Sequence, residues 1–284
     1  MTVTATRQKL SPMMNPDHSE TYVCPICHGR LAAEADDLRC GSCAGRFPLE
    51  RGIPDFLLEQ PDESTDPFLR DVEGFGKLAS IYETPIWLPI MLRLLGGRGA
   101  SSLAELVSYG RGYMANVRGR VLDVATGTGT YGRHIASSER PVIGVDVSTH
   151  MLLKGQALAR SEGVDGMAFA RADAKALPFA DTSFSGGLLC GAIHIFPDPA
   201  AVLSEIARTL RPGAPLWVTT VVWGKSGLLS HAWARQRMED NPKMHVFTEA
   251  ELLQLLGDAG FSDIEITTQG CLASITAVRL RLAA

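Results

Sequence analysis

The sequence has no long apolar run. Among its 284 residues there is no stretch of about 18 consecutive apolar residues, the length that a membrane-spanning helix requires. The first twenty residues are polar, contain Pro12 and Pro16, and lack the apolar centre of a secretory signal peptide. We therefore expect a cytoplasmic protein with no membrane span, in which residues 1–20 form a flexible tail.

Excess positive charge is also absent. The formal net charge is -4, so the chain as a whole has no electrostatic attraction to nucleic acid or to anionic lipid. Composition therefore gives no reason to expect a nucleic-acid partner, although it leaves a local basic patch open. Apolar residues make up 45% of the chain, which is enough to form a sizeable core.

Four of the six cysteines lie close together near the N-terminus, as Cys24, Cys27, Cys40 and Cys43. Two Cys-x-x-Cys pairs separated by twelve residues indicate a zinc ribbon, in which paired turns supply four thiolates to tetrahedral zinc. Disulfide pairing is the alternative, and the lack of a secretion signal argues against it. Four thiolates leave no open coordination position, so we expect a structural zinc in residues 21–59.

From Gly119 onward short β-branched runs alternate with helical stretches. This alternation is typical of a parallel sheet with crossover helices. An acidic, proline-containing linker and apolar helices that would cover a binding site are expected before it, in residues 60–118. Strands are predicted at 120–124, 141–146, 167–170, 184–190 and 215–222, with an antiparallel closing pair at 264–267 and 273–280. Helices are predicted at 130–138, 148–162, 199–210 and 248–259, and the last of these begins with Thr248 and Glu251 at the spacing of a capping box.

A glycine-rich turn follows the first of these strands and opens a helix. Gly127 and Gly129 allow the backbone to pass close to a ligand, and a helix N-terminus presents free N–H groups. Asp146 ends the next strand, where an acid accepts hydrogen bonds from ribose hydroxyls, and Asp173 follows the third. Because parallel strand ends converge on one crevice, these residues predict an adenosine-containing ligand. The three-glycine spacing of dinucleotide-binding turns is missing.

Five motifs in order carry a family resemblance: Asp123-Val-Ala-Thr-Gly-Thr-Gly129, Gly144-Val-Asp-Val-Ser148, Asp173-Ala-Lys-Ala-Leu-Pro-Phe179, Phe196-Pro-Asp-Pro199 and Ile206-Ala-Arg-Thr-Leu-Arg-Pro-Gly213. Together they resemble the quinone-biosynthesis C-methyltransferases, which are class I S-adenosylmethionine-dependent enzymes. The resemblance covers roughly residues 119–284. It implies an α/β Rossmann-like fold, with a seven-stranded, mostly parallel sheet and helices on both faces, and S-adenosylmethionine as the cofactor.

The resemblance also implies the roles of individual residues. Asp123, Ala125, Gly127 and Gly129 would line the methionine part of the cofactor, Asp146 would hold the ribose, and Asp173 and Ala174 would lie at the adenine. The remaining implied cofactor contacts are Tyr82 from the helical lid, Thr126, Val147, Met151, Cys190 and Gly191. Ala125 replaces a glycine that many relatives have, and Ser185 stands where many have an aspartate.

His194, in the loop after the fourth strand, is the candidate general base, with a buried, hydrogen-bonded histidine as the alternative. Phe47-Pro-Leu-Glu-Arg-Gly-Ile-Pro54 resembles the small zinc-ribbon proteins that partner methyltransferases, here fused in one chain. An apolar acceptor pocket is expected from Trp87, Trp223, Trp233, Met238 and Met244.

We therefore predict methyl transfer to a small, apolar organic acceptor. One alternative is an rRNA base methyltransferase whose zinc ribbon recognises RNA. Such enzymes share this domain order, but their fourth zinc ligand is typically a histidine, and here it is Cys43. Two further alternatives are a non-catalytic cofactor-binding partner protein and an enzyme that uses the bound sulfonium for other chemistry. The sequence indicates no oligomeric state.

Overall fold

The computed structural model describes residues 21–58, 87–97, 100–224, 230–240 and 244–281. The predicted tail at 1–20 and Tyr82 of the predicted lid lie outside the described residues, as do the side chains of Trp87 and Met238. No helix within the described ranges is both long and apolar enough to cross a membrane.

The N-terminal part of the described chain is a small antiparallel sheet. Its strands are β1 (Leu31–Ala33), β2 (Asp37–Cys40), β3 (Arg46–Glu50) and β4 (Ile53–Pro54), and they pair in sequence order. Few large side chains are buried here, among them Leu38 and Phe47, which face each other across β2 and β3. We refer to residues 21–58 as the ribbon.

Two helices follow, α1 (Trp87–Gly96) and α2 (Leu103–Tyr113). The α2 helix begins at a capping box in which the Ser102 hydroxyl accepts the Glu105 amide and the Glu105 carboxylate accepts the Ser102 amide. This exchange satisfies two backbone donors that a helix otherwise leaves open. The backbone of α1 contacts α2 and also the C-terminal strand of the large sheet, Leu272–Arg279.

The larger part of the chain contains a seven-stranded sheet with the order β10-β11-β9-β8-β5-β6-β7. Pairs among β5 to β9 are parallel, whereas β11 runs antiparallel to both β9 and β10. The strands are β5 (Val121–Val124), β6 (Val142–Asp146), β7 (Met167–Arg171), β8 (Gly186–Cys190), β9 (Pro215–Val221), β10 (Phe261–Gln269) and β11 (Leu272–Arg279). This topology confirms the predicted Rossmann-like fold class.

Helices cover both faces of the sheet because successive strand residues point to opposite sides. Leu122 packs in one apolar cluster with Leu203, whereas its neighbour Val121 packs in another with Met114 and Trp217. The remaining helices are α3 (Thr130–Ile135), α4 (Thr149–Ser161), α5 (Pro199–Thr209), α6 (Ala232–Glu239) and α7 (Glu249–Asp258).

Most predicted boundaries lie within one residue of those in the structure, and three elements differ by more. The strand predicted at 264–267 spans Phe261–Gln269. The α3 helix ends at Ile135 rather than at 138, because Ala136 is extended and Ser137 forms a bridge with Arg140. The fourth strand begins at Gly186 rather than at 184, because Phe184 instead pairs with Leu210, next to the end of α5. By contrast, the capping box predicted at Thr248 and Glu251 is present.

Candidate functional site

A cavity of about 640 Å³ opens at the carboxyl ends of the parallel strands. Its size falls within the range of about 300–1,000 Å³ that is usual for small-molecule sites. In open α/β sheets ligands bind at this edge. The cavity brings together eleven sequence-predicted residues, namely Ala125, Thr126, Gly127, Asp146, Val147, Met151, Asp173, Ala174, Cys190, Gly191 and His194.

The Asp146 carboxylate connects two walls of the cavity. It ends β6, and its oxygens accept hydrogen bonds from the backbone amides of Gly127 at 2.8 Å and Ser148 at 2.9 Å. Each carboxylate oxygen can accept more than one hydrogen bond. The side chain is therefore held in place by backbone donors and retains acceptor capacity toward the cavity.

Gly127 and Gly191 keep space open at the cavity wall. Both line the cavity and have positive φ angles, of 55° and 76°. A Cβ atom added to either glycine would meet no protein atom within 4 Å. Packing of the protein therefore does not require a glycine at either position, and the space that each leaves is available to a ligand.

Two of the sequence-predicted cofactor residues, Asp123 and Gly129, do not line the cavity. The Asp123 carboxylate is 2% exposed and accepts hydrogen bonds from the Thr126 hydroxyl at 2.6 Å and the Gly132 amide. Burial raises the pKa of Asp123 to about 7. Gly129 is the N-terminal capping position of α3. Asp123 thus lies behind the glycine-rich turn, where it accepts a hydrogen bond from Thr126, and Gly129 lies where the turn enters α3.

His194 lies in a short 3₁₀ turn after β8 and lines the cavity. Its Nδ1 atom is 3.3 Å from the Thr220 hydroxyl, and its carbonyl accepts the His245 amide at 2.7 Å. Burial lowers the pKa of His194 to about 4, so the imidazole is neutral at physiological pH. The geometry suits hydrogen bonding to a ligand better than proton abstraction from a weakly acidic group, because the imidazole is a weak base.

Cys190 ends β8 at the cavity wall, beside the Thr219 side chain. Burial raises the pKa of this thiol well above its ordinary value, so the sulfur is protonated and uncharged at neutral pH. The group therefore presents a small, weakly polar surface rather than a nucleophile.

The rest of the cavity wall is largely apolar. Most of it comes from helices within residues 60–118, where helices that cover the site were expected, and part comes from β11, which the sequence did not assign to it. Leu92 and Leu95 of α1, Leu106 of α2 and Leu272 of β11 line this side. Of the predicted acceptor-pocket residues, Trp223 and Met244 pack in the cluster around Cys271, to which Leu95 and Leu272 also belong, and Trp233 is 63% exposed. None of these three lines the cavity. Local sequence carried no signal that β11 would reach the site, because its position there depends on the order of the strands in the sheet.

The four clustered cysteines meet in space at one end of the ribbon. All four sulfur atoms lie within 4.8 Å of one another, with Cys24 3.6 Å from Cys43 and Cys27 3.5 Å from Cys40. Tetrahedral zinc with bonds of about 2.3 Å places its sulfur ligands about 3.8 Å apart. None of the four forms a disulfide. The donor set and its dimensions therefore fit a structural zinc ion.

Comparison with known proteins agrees with this architecture. A family model described as a methyltransferase domain matches residues 121–213. An uncharacterized protein of Mycobacterium tuberculosis is 32% identical over 146 residues, which cover 49% of this chain and 52% of that protein. The chain thus spans about half the length of that relative.

A demethylmenaquinone methyltransferase of Renibacterium salmoninarum is 30% identical over 164 residues, which cover 51% of this chain and 67% of that enzyme. Among solved structures, the [4+2]-cyclase SpnF has a TM-score of 0.53 at 20% identity, covering 72% of this chain and 96% of the cyclase. The cyclase supports the fold alone. From the matched family model and the methyltransferase relative, the chain belongs to the S-adenosylmethionine-dependent methyltransferases.

Proposed function

We propose that this protein transfers a methyl group from S-adenosylmethionine to a small, apolar organic acceptor. The observation that carries the proposal is a cavity of about 640 Å³ with two chemically different sides. Asp146 and the glycine-rich turn line one part of it, and leucines of α1, α2 and β11 line another, together with a few polar residues such as Glu105 and Gln269. The first side suits the polar cofactor, and the second suits an apolar acceptor.

The cofactor side divides among the strand ends. Asp146 accepts hydrogen bonds from the ribose, while Asp173 and Ala174 lie at the adenine. Gly127 and Gly191 leave the methionine part room beside the backbone, which agrees with the absence of protein atoms where their Cβ atoms would be. Asp123 holds Thr126, and through it the turn, rather than touching the ligand.

Alignment is the main contribution that such a site makes to methyl transfer. The cofactor, when bound, supplies a methyl group on a sulfonium centre, which is an excellent leaving group. The protein holds the acceptor atom in line with that group and excludes water from the apolar side. His194, neutral and hydrogen-bonded to Thr220, orients a polar atom of the acceptor.

The ribbon holds one structural zinc ion on Cys24, Cys27, Cys40 and Cys43. The sulfur–sulfur distances support this assignment. The ribbon sheet buries few large side chains, and a unit of this size usually needs a metal or disulfides to fold. Zinc therefore contributes stability to the ribbon rather than chemistry at the cavity.

The test is a labelling experiment with methyl-tritiated S-adenosylmethionine and cell extract. After incubation the organic-soluble, RNA and protein fractions are separated, and S-adenosylhomocysteine is quantified. Label in the organic fraction, matched by released S-adenosylhomocysteine, is the expected result. Asp146→Ala serves as the cofactor-site variant and Asp165→Ala, at an exposed turn, as its control.

Each other outcome contradicts a stated part of the proposal. Label in RNA would assign the acceptor to nucleic acid and the ribbon to its recognition. Binding of S-adenosylhomocysteine without any release of it from S-adenosylmethionine would indicate a binding protein or a different reaction. The second case is a real alternative because a [4+2]-cyclase has the same fold.

A further inference from the structure

The ribbon covers the free edge of the seven-stranded sheet. The β7 strand is the last of that sheet, and Asp55 pairs with its end residue, Arg171, in a parallel bridge. The Phe56 amide donates to the Arg171 carbonyl at 2.7 Å. The ribbon therefore continues the sheet at an edge that would otherwise leave backbone groups open.

A second contact lies at the other end of the loop that follows β7. The Val23 amide donates to the Pro178 carbonyl at 2.9 Å, and Tyr22 forms an antiparallel bridge with Phe179. We call residues 172–177 the adenine loop, because it contains Asp173 and Ala174, which are proposed to lie at the adenine of the cofactor. The ribbon thus fixes the chain immediately before and immediately after this loop.

A buried ion pair extends the connection to the ribose side of the cavity. The Arg171 Nη1 atom lies 2.9 Å from Asp55 Oδ2, and the two side chains are 8% and 11% exposed. The Arg171 Nε atom donates to the Val147 carbonyl at 2.8 Å. Val147 directly follows Asp146, whose carboxylate is proposed to bind the ribose. The Arg171 guanidinium therefore connects the ribbon to the segment that carries this carboxylate.

The ribbon presents Asp55 in a fixed position. The Asp55 Oδ1 atom accepts the Leu57 amide at 3.0 Å. Its neighbour Phe56 is 2% exposed and contacts the ring of Tyr22 at 5.1 Å and that of Phe47 at 5.3 Å between centroids. Phe47 pairs with Leu38 of β2, the strand that ends at Cys40. The packing therefore continues from the cysteine cluster to Asp55.

We infer that the ribbon holds the adenosine end of the cofactor site in its binding conformation, with Asp55 and Arg171 as positioning residues. The inference rests on the proposed function, since it requires the cavity to bind adenosine. A guanidinium that loses a buried carboxylate partner is strongly disfavoured in place. Arg171 would then turn toward water, and the Val147 segment and the adenine loop would lose a shared support.

The test is calorimetric titration of the full-length, zinc-loaded protein with S-adenosylhomocysteine and with 5′-methylthioadenosine, well below the melting temperature. The second ligand keeps the adenosine and lacks the amino-acid part. Asp55→Asn removes the charge and keeps an oxygen for Leu57. We expect it to raise the dissociation constant of both ligands about tenfold, within the usual range for coupled sites.

Two further variants make the result interpretable. Glu34→Gln is the control, because Glu34 pairs with Arg39 and Arg46 inside the ribbon, and its affinities should equal those of the unchanged protein. Arg171→Lys keeps a charge for Asp55 but loses the planar fork that reaches Val147 as well. Like Asp55→Asn, it should raise the dissociation constants of both ligands. If Asp55→Asn does not fold, Arg171→Lys alone tests whether this contact supports the cofactor site.

Three results would overturn the inference. If Asp55→Asn and Arg171→Lys bind both ligands with unchanged affinity and only melt at a lower temperature, the Asp55–Arg171 ion pair stabilises the fold and has no role in cofactor binding. A loss confined to S-adenosylhomocysteine would place the coupling at the amino-acid end. A loss of the same size in Glu34→Gln would show a general effect of ribbon charge. If the unchanged protein binds neither ligand, the proposed function itself fails, which is a different result.

Discussion

The carboxylate of Asp146 accepts the backbone amide of Gly127 at 2.8 Å. The end of β6 is thereby fixed to the glycine-rich turn after β5. Both groups line the cavity, so one hydrogen bond sets the distance between the ribose side and the methionine side of the proposed cofactor site. This relationship makes Asp146 the first residue to test.

Asp146→Ala is expected to raise the dissociation constant for S-adenosylhomocysteine by about ten- to a hundredfold. Hydrogen bonds to a charged group contribute about 1.5–3 kcal/mol, and 1.4 kcal/mol corresponds to tenfold. Isothermal titration measures the constant. Asp165→Ala should leave it unchanged, and equal affinity for Asp146→Ala would exclude a ribose contact at this residue.

Metal analysis of the purified protein is expected to give one zinc ion per chain. Cys43→Ser should lose that zinc and lower the melting temperature, because zinc binding and folding of such a unit are coupled. Cys190→Ser, which alters a thiol outside the ribbon, should retain the zinc. Full zinc content in Cys43→Ser would show that the four-cysteine assignment is wrong.

Asp123→Asn is expected to stabilise the protein at pH 8. Burial raises the pKa of Asp123 to about 7 in the folded state, whereas an unfolded aspartate titrates near 3.9. The folded state therefore holds the proton more tightly, and its contribution to stability is lost as pH rises from about 4 to about 7.

Asparagine has no proton to lose, so the variant should gain on the order of 1–3 kcal/mol at pH 8 and little at pH 4. Urea unfolding at the two pH values measures the difference, with Asp165→Asn as the exposed control. A variant less stable than the unchanged protein at pH 8 would mean that Asp123 is ionised and stabilising.

His194→Asn is expected to lose less of its free energy of unfolding than the unchanged protein as the pH falls. Burial lowers the folded-state pKa of His194 to about 4, so as pH falls from about 6.5 the unfolded state takes up the proton first and folding weakens. His150→Asn, at an exposed position, is the control. A break near pH 7 in the rate profile that disappears in His194→Asn would instead show a titrating catalytic base.

Leu106→Ala is expected to raise the Michaelis constant of the organic acceptor about fivefold, from the loss of roughly 1 kcal/mol of apolar contact. The dissociation constant of S-adenosylhomocysteine should not change, because Leu106 lies on the apolar side of the cavity. Leu103→Ala, on the same helix but outside the cavity wall, is the control. Equal losses for cofactor and acceptor would indicate a general structural effect.

Much of the fold could be predicted from local pattern. The alternation from Gly119 onward gave each strand of the large sheet to within a few residues, since burial on both faces produces short apolar runs. The capping box at Thr248 and Glu251 was equally local. The boundary at α3 was not, because Ala136 leaves the helix to let Ser137 pair with Arg140.

The sequence by itself determined the residue types at the strand ends and the cysteine spacing, because both are set by neighbours a few positions apart. The tertiary structure alone decided that Asp123 lies behind the turn, that Leu106 and Leu272 line the cavity, and that Asp55 meets Arg171 across 116 residues. Such contacts depend on sheet order and on docking of the ribbon. No local pattern encodes them, because they form only when distant segments share a buried surface.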